Sequence, residues 1–184
     1  MRLRVAWWVG LWGVVWAAPA LADEANAKGP GKIEYSAELL GGYGVGNQFE
    51  DDNKNRYGLA LGARAGLTLA APRLHFGLSF LHFNGSDGPA GRRYTNTLDA
   101  ELGYDFRLLK ERLLIRPALA LGVAQAVTIQ SDNAGYPLVF HWAPGILVGA
   151  RLAPLLLTAE YRYDLVPDSW PSSNTLLFGV GFVL

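Results

Sequence analysis

The 184-residue chain has no cysteine and a formal net charge of zero at neutral pH. The absence of cysteine excludes a disulfide framework, a thiolate metal site and a lipid-modified N-terminal cysteine. The balanced charge removes any bulk electrostatic attraction to nucleic acid or to an acidic membrane surface. Beyond residue 22, no apolar run approaches the roughly 20 residues that a membrane-spanning helix needs. If the mature chain enters a bilayer, it must therefore use strands.

The N-terminus has the three parts of a secretory signal peptide. Residues 1–4 are basic, residues 5–18 are apolar, and residues 20–22 provide a small-residue cleavage site. The alternative is a transmembrane anchor, for which the apolar stretch is too short. We therefore assign residues 1–22 to a signal peptide, residues 23–31 to a short periplasmic lead-in and residues 32–184 to one mature domain.

Eight segments of the mature chain alternate between apolar and polar side chains. A period of two places successive side chains on opposite faces of a strand. In the clearest segment, Leu98 and Leu102 lie on one face, and Asp99 and Glu101 lie on the other. The segments are residues 32–45, 57–69, 74–80, 94–108, 113–127, 140–152, 155–164 and 175–184.

The connections between these segments alternate in length. Short turns are expected at residues 70–72, 109–112 and 153–154, and longer polar loops at residues 46–56, 84–93, 129–137 and 166–173. This alternation is typical of outer-membrane barrels, whose short turns are periplasmic. We predict an all-β fold, an eight-stranded antiparallel up-and-down transmembrane β-barrel with both termini in the periplasm. Its first and last strands must pair, because a bilayer does not tolerate an open sheet edge.

A water-soluble, lipocalin-like barrel would also alternate, so the face that lines the interior must be identified. Here the polar face combines glycine and alanine with charges of both signs, which suits a narrow lumen in which those charges neutralise one another. On the apolar face, tyrosine and tryptophan gather at the strand ends, as they do at the two surfaces of a bilayer. We therefore expect the apolar face to meet lipid. The predicted aromatic girdle comprises Tyr43, Tyr57, Tyr94, Tyr104, Trp142 and Tyr163.

The inward charges are the first candidate functional group. Counting back from the turn at residues 109–112 sets Asp105 opposite Arg116. One interpretation is a gated ion path, and the other is an ion-pair network that closes the lumen. We favour closure, because an eight-stranded barrel is only wide enough for its own side chains. The predicted network comprises Glu38, Arg64, Glu101, Asp105, Arg116, Glu160 and Arg162.

Three histidines raise the alternative of a lipid A-modifying enzyme: His75, His82 and His141. His141 is placed to reach Asp164, which would form half of a catalytic triad, but no serine is placed to complete it. A hydrophobic-solute conduit is a further alternative, suggested by the inward Leu40, Leu81 and Leu147. We expect a non-enzymatic protein without a cofactor or metal, acting in envelope structure or in surface interactions through its external loops.

The segments AEYRYDL (residues 159–165) and LLFGVGFVL (residues 176–184) resemble the OmpA-like and OmpX-like families of small outer-membrane barrels. The resemblance implies an integral protein of a Gram-negative-type outer membrane, surrounded by lipid and inserted by periplasmic chaperones and the barrel-assembly machinery. It assigns an assembly signal to Phe178, Val180, Phe182 and Leu184, although Leu184 stands where the family usually has phenylalanine. We expect a monomer that binds no nucleic acid, and the external ligand is unknown.

Overall fold

The strands of this protein form one closed antiparallel barrel. The computed structural model describes residues 32–46, 57–70, 73–88, 91–128, 138–165 and 172–184. The strands are β1 (Ile33–Gly46), β2 (Gly58–Leu69), β3 (Leu74–Gly88), β4 (Gly91–Tyr104), β5 (Phe106–Leu108), β6 (Leu113–Thr128), β7 (Val139–Leu152), β8 (Leu155–Asp164) and β9 (Ser173–Val183).

Each strand pairs with its neighbours in sequence, except that β4 pairs with β6 and not with β5, and β1 pairs with β9 to close the barrel. The strands β4 and β5 are two parts of one barrel strand, because both pair with β6. They are separated at Asp105, whose backbone N–H donates to the carbonyl of Arg73 instead. The nine strand segments therefore form eight barrel strands. The predicted all-β antiparallel barrel, with its first and last strands paired, is confirmed.

The two faces of the strands point as the alternation predicts. In β4, Leu98 and Leu102 are 54% and 50% exposed, whereas Asp99 and Glu101 are 0% and 6% exposed. In β9, Phe178, Val180 and Phe182 lie on the exposed face. Apolar side chains thus cover the outer wall and charged side chains fill the interior, which reverses the polarity of a soluble barrel.

The connection between β3 and β4 is shorter than predicted. Residues 84–93 were expected to form a loop, but the ladder continues to Gly88 and Gly91 after a register shift between Asn84 and Asp87. The apolar pattern stops at residue 84 while the backbone hydrogen bonds continue. A strand that leaves the apolar belt no longer needs an apolar face, so periodicity underestimates its length.

Tyr57 is not in the outer aromatic girdle, contrary to the sequence prediction. It is 2% exposed and lies inside the barrel, where its ring meets that of Phe83 edge-on at 5.2 Å. The cause is Gly58, whose backbone has a φ of 73°. This left-handed conformation interrupts the alternation and turns the preceding side chain to the other face.

Several predicted segments lie outside the described residues: the signal peptide, the lead-in, and most of the loops 46–56, 129–137 and 166–173. Within the described ranges, no helix has the length and apolar character required to cross a bilayer. The end of the barrel that carries the turns after β2, β5 and β7 is called the short-turn end below. The opposite end is called the long-loop end.

Candidate functional site: the charged lumen

Arg64 is the centre of the largest group of inward charges. It projects from β2 and is 2% exposed. Its Nε lies 2.9 Å from Oε2 of Glu101, and its Nη1 lies 3.8 Å from Oε1 of Glu38. Its Nη2 donates to Oε2 of Glu160, which comes from β8 across the lumen. One guanidinium therefore joins three carboxylates from three other strands.

Arg162 on β8 makes a second junction beside the first. Its Nη2 donates to Oδ2 of Asp99 at 2.8 Å, and its Nε lies 3.6 Å from Oδ1 of Asp164. Its Nη1 is 3.9 Å from Oε1 of Glu101, which also contacts Arg64. Because Glu101 is shared, the two junctions form one continuous network through the middle of the barrel.

His141 joins this network through Asp99, and not through Asp164, the partner that the sequence analysis considered. Its Nε2 lies 2.5 Å from Oδ1 of Asp99. The two residues sit two strands apart, with Gly122 between them in the register. A Cβ at Gly122 would collide with the Asp99 carboxylate, so only glycine leaves a path for the contact. Asp164 is already engaged by the hydroxyls of Ser173 and Thr175.

Hydroxyl groups support other carboxylates of the network. Thr158 donates to Oε2 of Glu38 at 2.7 Å, passing over Gly179 of the intervening strand. A Cβ at Gly179 would overlap the Thr158 hydroxyl and approach the same carboxylate oxygen. The small inward residues therefore provide room for charged side chains to meet across the barrel.

A second set of ion pairs lies at the short-turn end of the lumen. Arg116 donates to Asp105 from Nε at 2.6 Å and from Nη2 at 3.2 Å. Arg107 binds Glu34 with both terminal nitrogens, at 3.1 and 2.6 Å, and Arg151 donates to the same carboxylate at 3.1 Å. These residues line a cavity of only about 20 Å³, room for roughly one water molecule.

His75 is joined to the mouth set through Thr68. It is 0% exposed, and its Nδ1 lies 3.0 Å from the hydroxyl of Thr68, which donates to Asp105 at 3.3 Å. Its ring occupies the space above Gly66, where a Cβ would collide with the imidazole. The imidazole is thus a buried member of the set at the short-turn mouth.

An apolar cluster fills the lumen on the wall formed by β1, β2, β3 and β9. Every member is at most 4% exposed. The cluster comprises Leu40, Tyr57, Ala60, Leu81, Phe83 and Leu177. Leu40 and Leu81 face inward as predicted, as does Leu147 on β7, but all three are packed against neighbours. On β1, β2 and β3 the apolar cluster therefore lies closer to the long-loop end than Glu38 and Arg64 do.

The central network is not electrically balanced, although the sequence analysis expected opposite charges to neutralise one another. Its carboxylates outnumber its guanidinium groups by five to two, with one imidazole in addition. All these residues are at most 7% exposed. The members are Glu38, Asp99, Glu101, Glu160, Asp164, Arg64, Arg162 and His141. Each guanidinium consequently compensates more than one carboxylate.

The remaining predicted residues lie on the outer wall. Among the predicted girdle residues, Tyr43 is 53% exposed, Trp142 is 41% and Tyr104 is 40%, while Tyr94 and Tyr163 are partly exposed. The four residues of the proposed assembly signal also face outward, each at least 44% exposed. His82 is on the same outer wall, bonded to Asn96 at 2.8 Å and stacked on Tyr94.

The structure brings all seven residues of the predicted lumen network into ion pairs, in two groups. The sequence prediction omitted Asp99, Asp164 and His141 from the central group, and Glu34, Arg107 and Arg151 from the mouth. The signal for Asp99 was present, because it shares a face with Glu101. Its contact with His141 could be found only from the register of the three strands β4, β6 and β7.

No protein-family model and no curated protein sequence matches this chain. Solved structures do match it. The N-terminal β-barrel domain of Pseudomonas aeruginosa OprF is 14% identical with a TM-score of 0.64, covering 84% of this chain and 99% of that one. Neisserial surface protein A (NspA) is 16% identical with a TM-score of 0.59, covering 82% and 96%. Ail, the attachment invasion locus protein of Yersinia pestis, is 14% identical with a TM-score of 0.57, covering 85% and 100%.

These similarities concern the fold. Together with the reversed polarity of the barrel, they define its fold class. It has the closed eight-stranded β-barrel fold of small outer-membrane proteins.

Proposed function

We propose that this protein is an integral outer-membrane β-barrel of a Gram-negative-type cell, with no enzymatic activity and with a lumen closed by its own side chains. The observation that carries the proposal is the polarity of the wall. Leu78 is 61% exposed and Phe178 is 57% exposed, whereas Arg64 and Arg162 are 2% and 1% exposed. Such a surface is stable in hydrocarbon and would aggregate in water.

Two groups of inward side chains fill the lumen and support its closure. Arg64, Glu101 and Arg162 occupy the middle of the lumen, and Leu81 and Phe83 of the apolar cluster pack closer to the long-loop end. A buried ion-pair network satisfies charges that would otherwise be costly in a low-dielectric interior. We therefore assign the network a structural role, in which it holds the barrel closed.

The role that follows is to support the envelope mechanically and to display the segments that connect the strands. A rigid closed barrel anchors the segments that connect its strands at the long-loop end, and such connecting segments carry function in many proteins. We propose a structural or surface-interaction role for the protein, exerted through those segments. In this orientation both termini lie in the periplasm, with the short turns.

Two features argue against the enzymatic alternative. His141 and Asp99 are at most 1% exposed, so a lipid substrate has no access to the pair. His82, which lies on the outer wall, is bonded to Asn96, a neutral amide, and so lacks the carboxylate partner of a catalytic base. Comparison of lipid A by mass spectrometry, with and without the protein, tests this assignment, and a changed acyl pattern would contradict it.

The insertion of the chain into the outer membrane is a separate part of the proposal and can be tested by itself. The outward residues Phe178, Val180 and Phe182 alternate with inward residues on β9. We propose that the barrel-assembly machinery recognises this edge, and that periplasmic chaperones deliver the chain. Changing Phe182 to serine should lower the amount of folded protein in the membrane, whereas changing the inward Thr175 to serine should not.

Cell fractionation tests the proposal directly. The protein should be found in the outer-membrane fraction, and its unboiled form should migrate differently from its boiled form on a gel. A freely soluble periplasmic protein would overturn the proposal.

Planar-bilayer recording tests closure of the lumen. The wild-type barrel should show no large, steady single-channel conductance. A double variant, Arg64→Ala with Arg162→Ala, should conduct more, because it removes both central guanidinium groups. Steady conductance by the wild-type protein would show that the lumen is a pore.

A further inference from the structure

Basic residues surround the short-turn end of the barrel. Lys32 precedes β1, Arg73 precedes β3, and Lys110 and Arg112 lie in the turn between β5 and β6. Lys32, Lys110 and Arg112 are exposed, and Arg73 is partly exposed. We call these four residues the basic rim. They occupy three separate points on the circumference of the barrel, because they belong to different strand ends.

The acidic residues nearby leave the basic rim with an excess of positive charge. Glu34 and Asp105 are already bound by arginines of the lumen mouth. Among the described acidic side chains of this end, that of Glu111 is the exposed one, and it lies 3.7 Å from Nη1 of Arg107. Among the described side chains of this end, the basic rim therefore carries an excess of positive charge, whereas the central lumen network carries an excess of carboxylates.

The turn between β5 and β6 combines this charge with an exposed apolar side chain. Leu109, Lys110 and Glu111 adopt consecutive left-handed conformations, with φ values of 50°, 58° and 68°. Leu109 is 73% exposed, and Leu108 beside it is 47% exposed on the outer wall. The apolar belt thus reaches the turn, where it meets Lys110 and Arg112. Long basic side chains at such a boundary place their stems in hydrocarbon and their charges at the headgroups.

We propose that the basic rim binds the headgroups of anionic phospholipids in the leaflet at the short-turn end, with Leu109 at the acyl boundary. This inference rests on the proposed insertion in a membrane. A lipid surface fits better than an acidic protein, because headgroups surround the barrel and reach all three points of the basic rim at once. A negatively charged bilayer surface attracts juxtamembrane basic residues in this way.

The experiment uses the folded protein in dihexanoylphosphatidylcholine micelles, titrated with dihexanoylphosphatidylglycerol and followed by NMR of backbone amides. The amides of the turn at residues 109–112 and of Arg73 should shift saturably. The double variant Lys110→Gln with Arg112→Gln should bind the anionic lipid about 25-fold more weakly, about fivefold for each charge. The matched variant Glu111→Gln removes the opposite charge from the same turn, and it should bind more tightly.

Three results would overturn the inference. The first is an equal affinity of the wild-type and the double variant for the anionic lipid. The second is an equal response to added phosphatidylcholine, and the third is a set of shifts confined to the long-loop end. A protein that folds in micelles but shows one of these results contradicts the lipid site alone. A chain that does not fold there contradicts the proposed membrane barrel as well.

Discussion

The charge imbalance of the central lumen network predicts an asymmetry between removing a base and removing an acid. Changing Arg64 to methionine keeps an unbranched stem but leaves Glu38, Glu101 and Glu160 without their shared guanidinium. Removing one partner of a buried ion pair costs about 3–5 kcal/mol, because the remaining charge stays uncompensated. We therefore expect the free energy of unfolding to fall by about that amount.

The matched variant is Glu38→Gln. It removes one of the surplus carboxylates, and the amide oxygen can still accept the hydrogen bond from Thr158. We expect a loss below about 1 kcal/mol, the size of one net hydrogen bond. A conservative Arg64→Lys variant should fall between the two, because a lysine keeps the charge but cannot bind several carboxylates through a planar fork.

The assay is urea unfolding of the protein in phospholipid vesicles, with the free energy obtained by linear extrapolation. Tryptophan emission, to which Trp142 on the outer wall contributes, reports unfolding, and the mobility of the unboiled band gives an independent measure. Equal losses for Arg64→Met and Glu38→Gln would refute the imbalance. A loss below about 1 kcal/mol for Arg64→Met would refute the structural role of the network.

Three further predictions concern the wall and the lumen. In a bilayer, Leu78→Arg should lower the free energy of unfolding by about 2–4 kcal/mol, because Leu78 lies in the middle of the apolar belt. Leu108→Arg, near the short-turn end, should lower it by only about 0–1 kcal/mol. Equal losses for the two variants would contradict the position of the apolar belt. Gly122→Ala should cost about 1–3 kcal/mol by overpacking, whereas Gly41→Ala, whose added Cβ would be 3.9 Å from the nearest atom, should change the unfolding free energy little. Tyr57→Ala should lower the free energy of unfolding by about 3–5 kcal/mol, and Tyr57→Phe should lower it much less. If Tyr57→Ala causes no such loss, the ring lies on the outer surface and not inside the barrel.

The prediction of the fold succeeded because the bilayer imposes a strict alternation. Leu98, Asp99, Leu102 and Glu101 are enough to identify both faces of β4, and closure follows from the exclusion of open edges. The pairing of Asp105 with Arg116 could also be predicted, because both residues are close to a short turn that fixes their register. Ion pairs of the interior that lie close to a short turn can therefore be predicted from the sequence.

The errors occur where the backbone departs from regular alternation or where contacts cross several strands. Tyr57 was misplaced because the left-handed backbone at Gly58 is invisible to a period-two pattern. The contact of His141 with Asp99 was missed because it passes over Gly122, on a strand between them. The excess of carboxylates could be recognised only after the register had assembled the central group.

The orientation of the wall is the central claim, and a quenching experiment tests it most directly. The chain contains no cysteine, so a single Leu78→Cys or Phe178→Cys variant can carry one fluorophore without a background of other labels. In vesicles, each label should be quenched by lipids that bear a nitroxide on the acyl chain and not by aqueous iodide, while a label at Glu111→Cys should respond to iodide. Quenching of the labels at positions 78 and 178 by iodide alone would contradict the membrane-facing orientation on which the account depends.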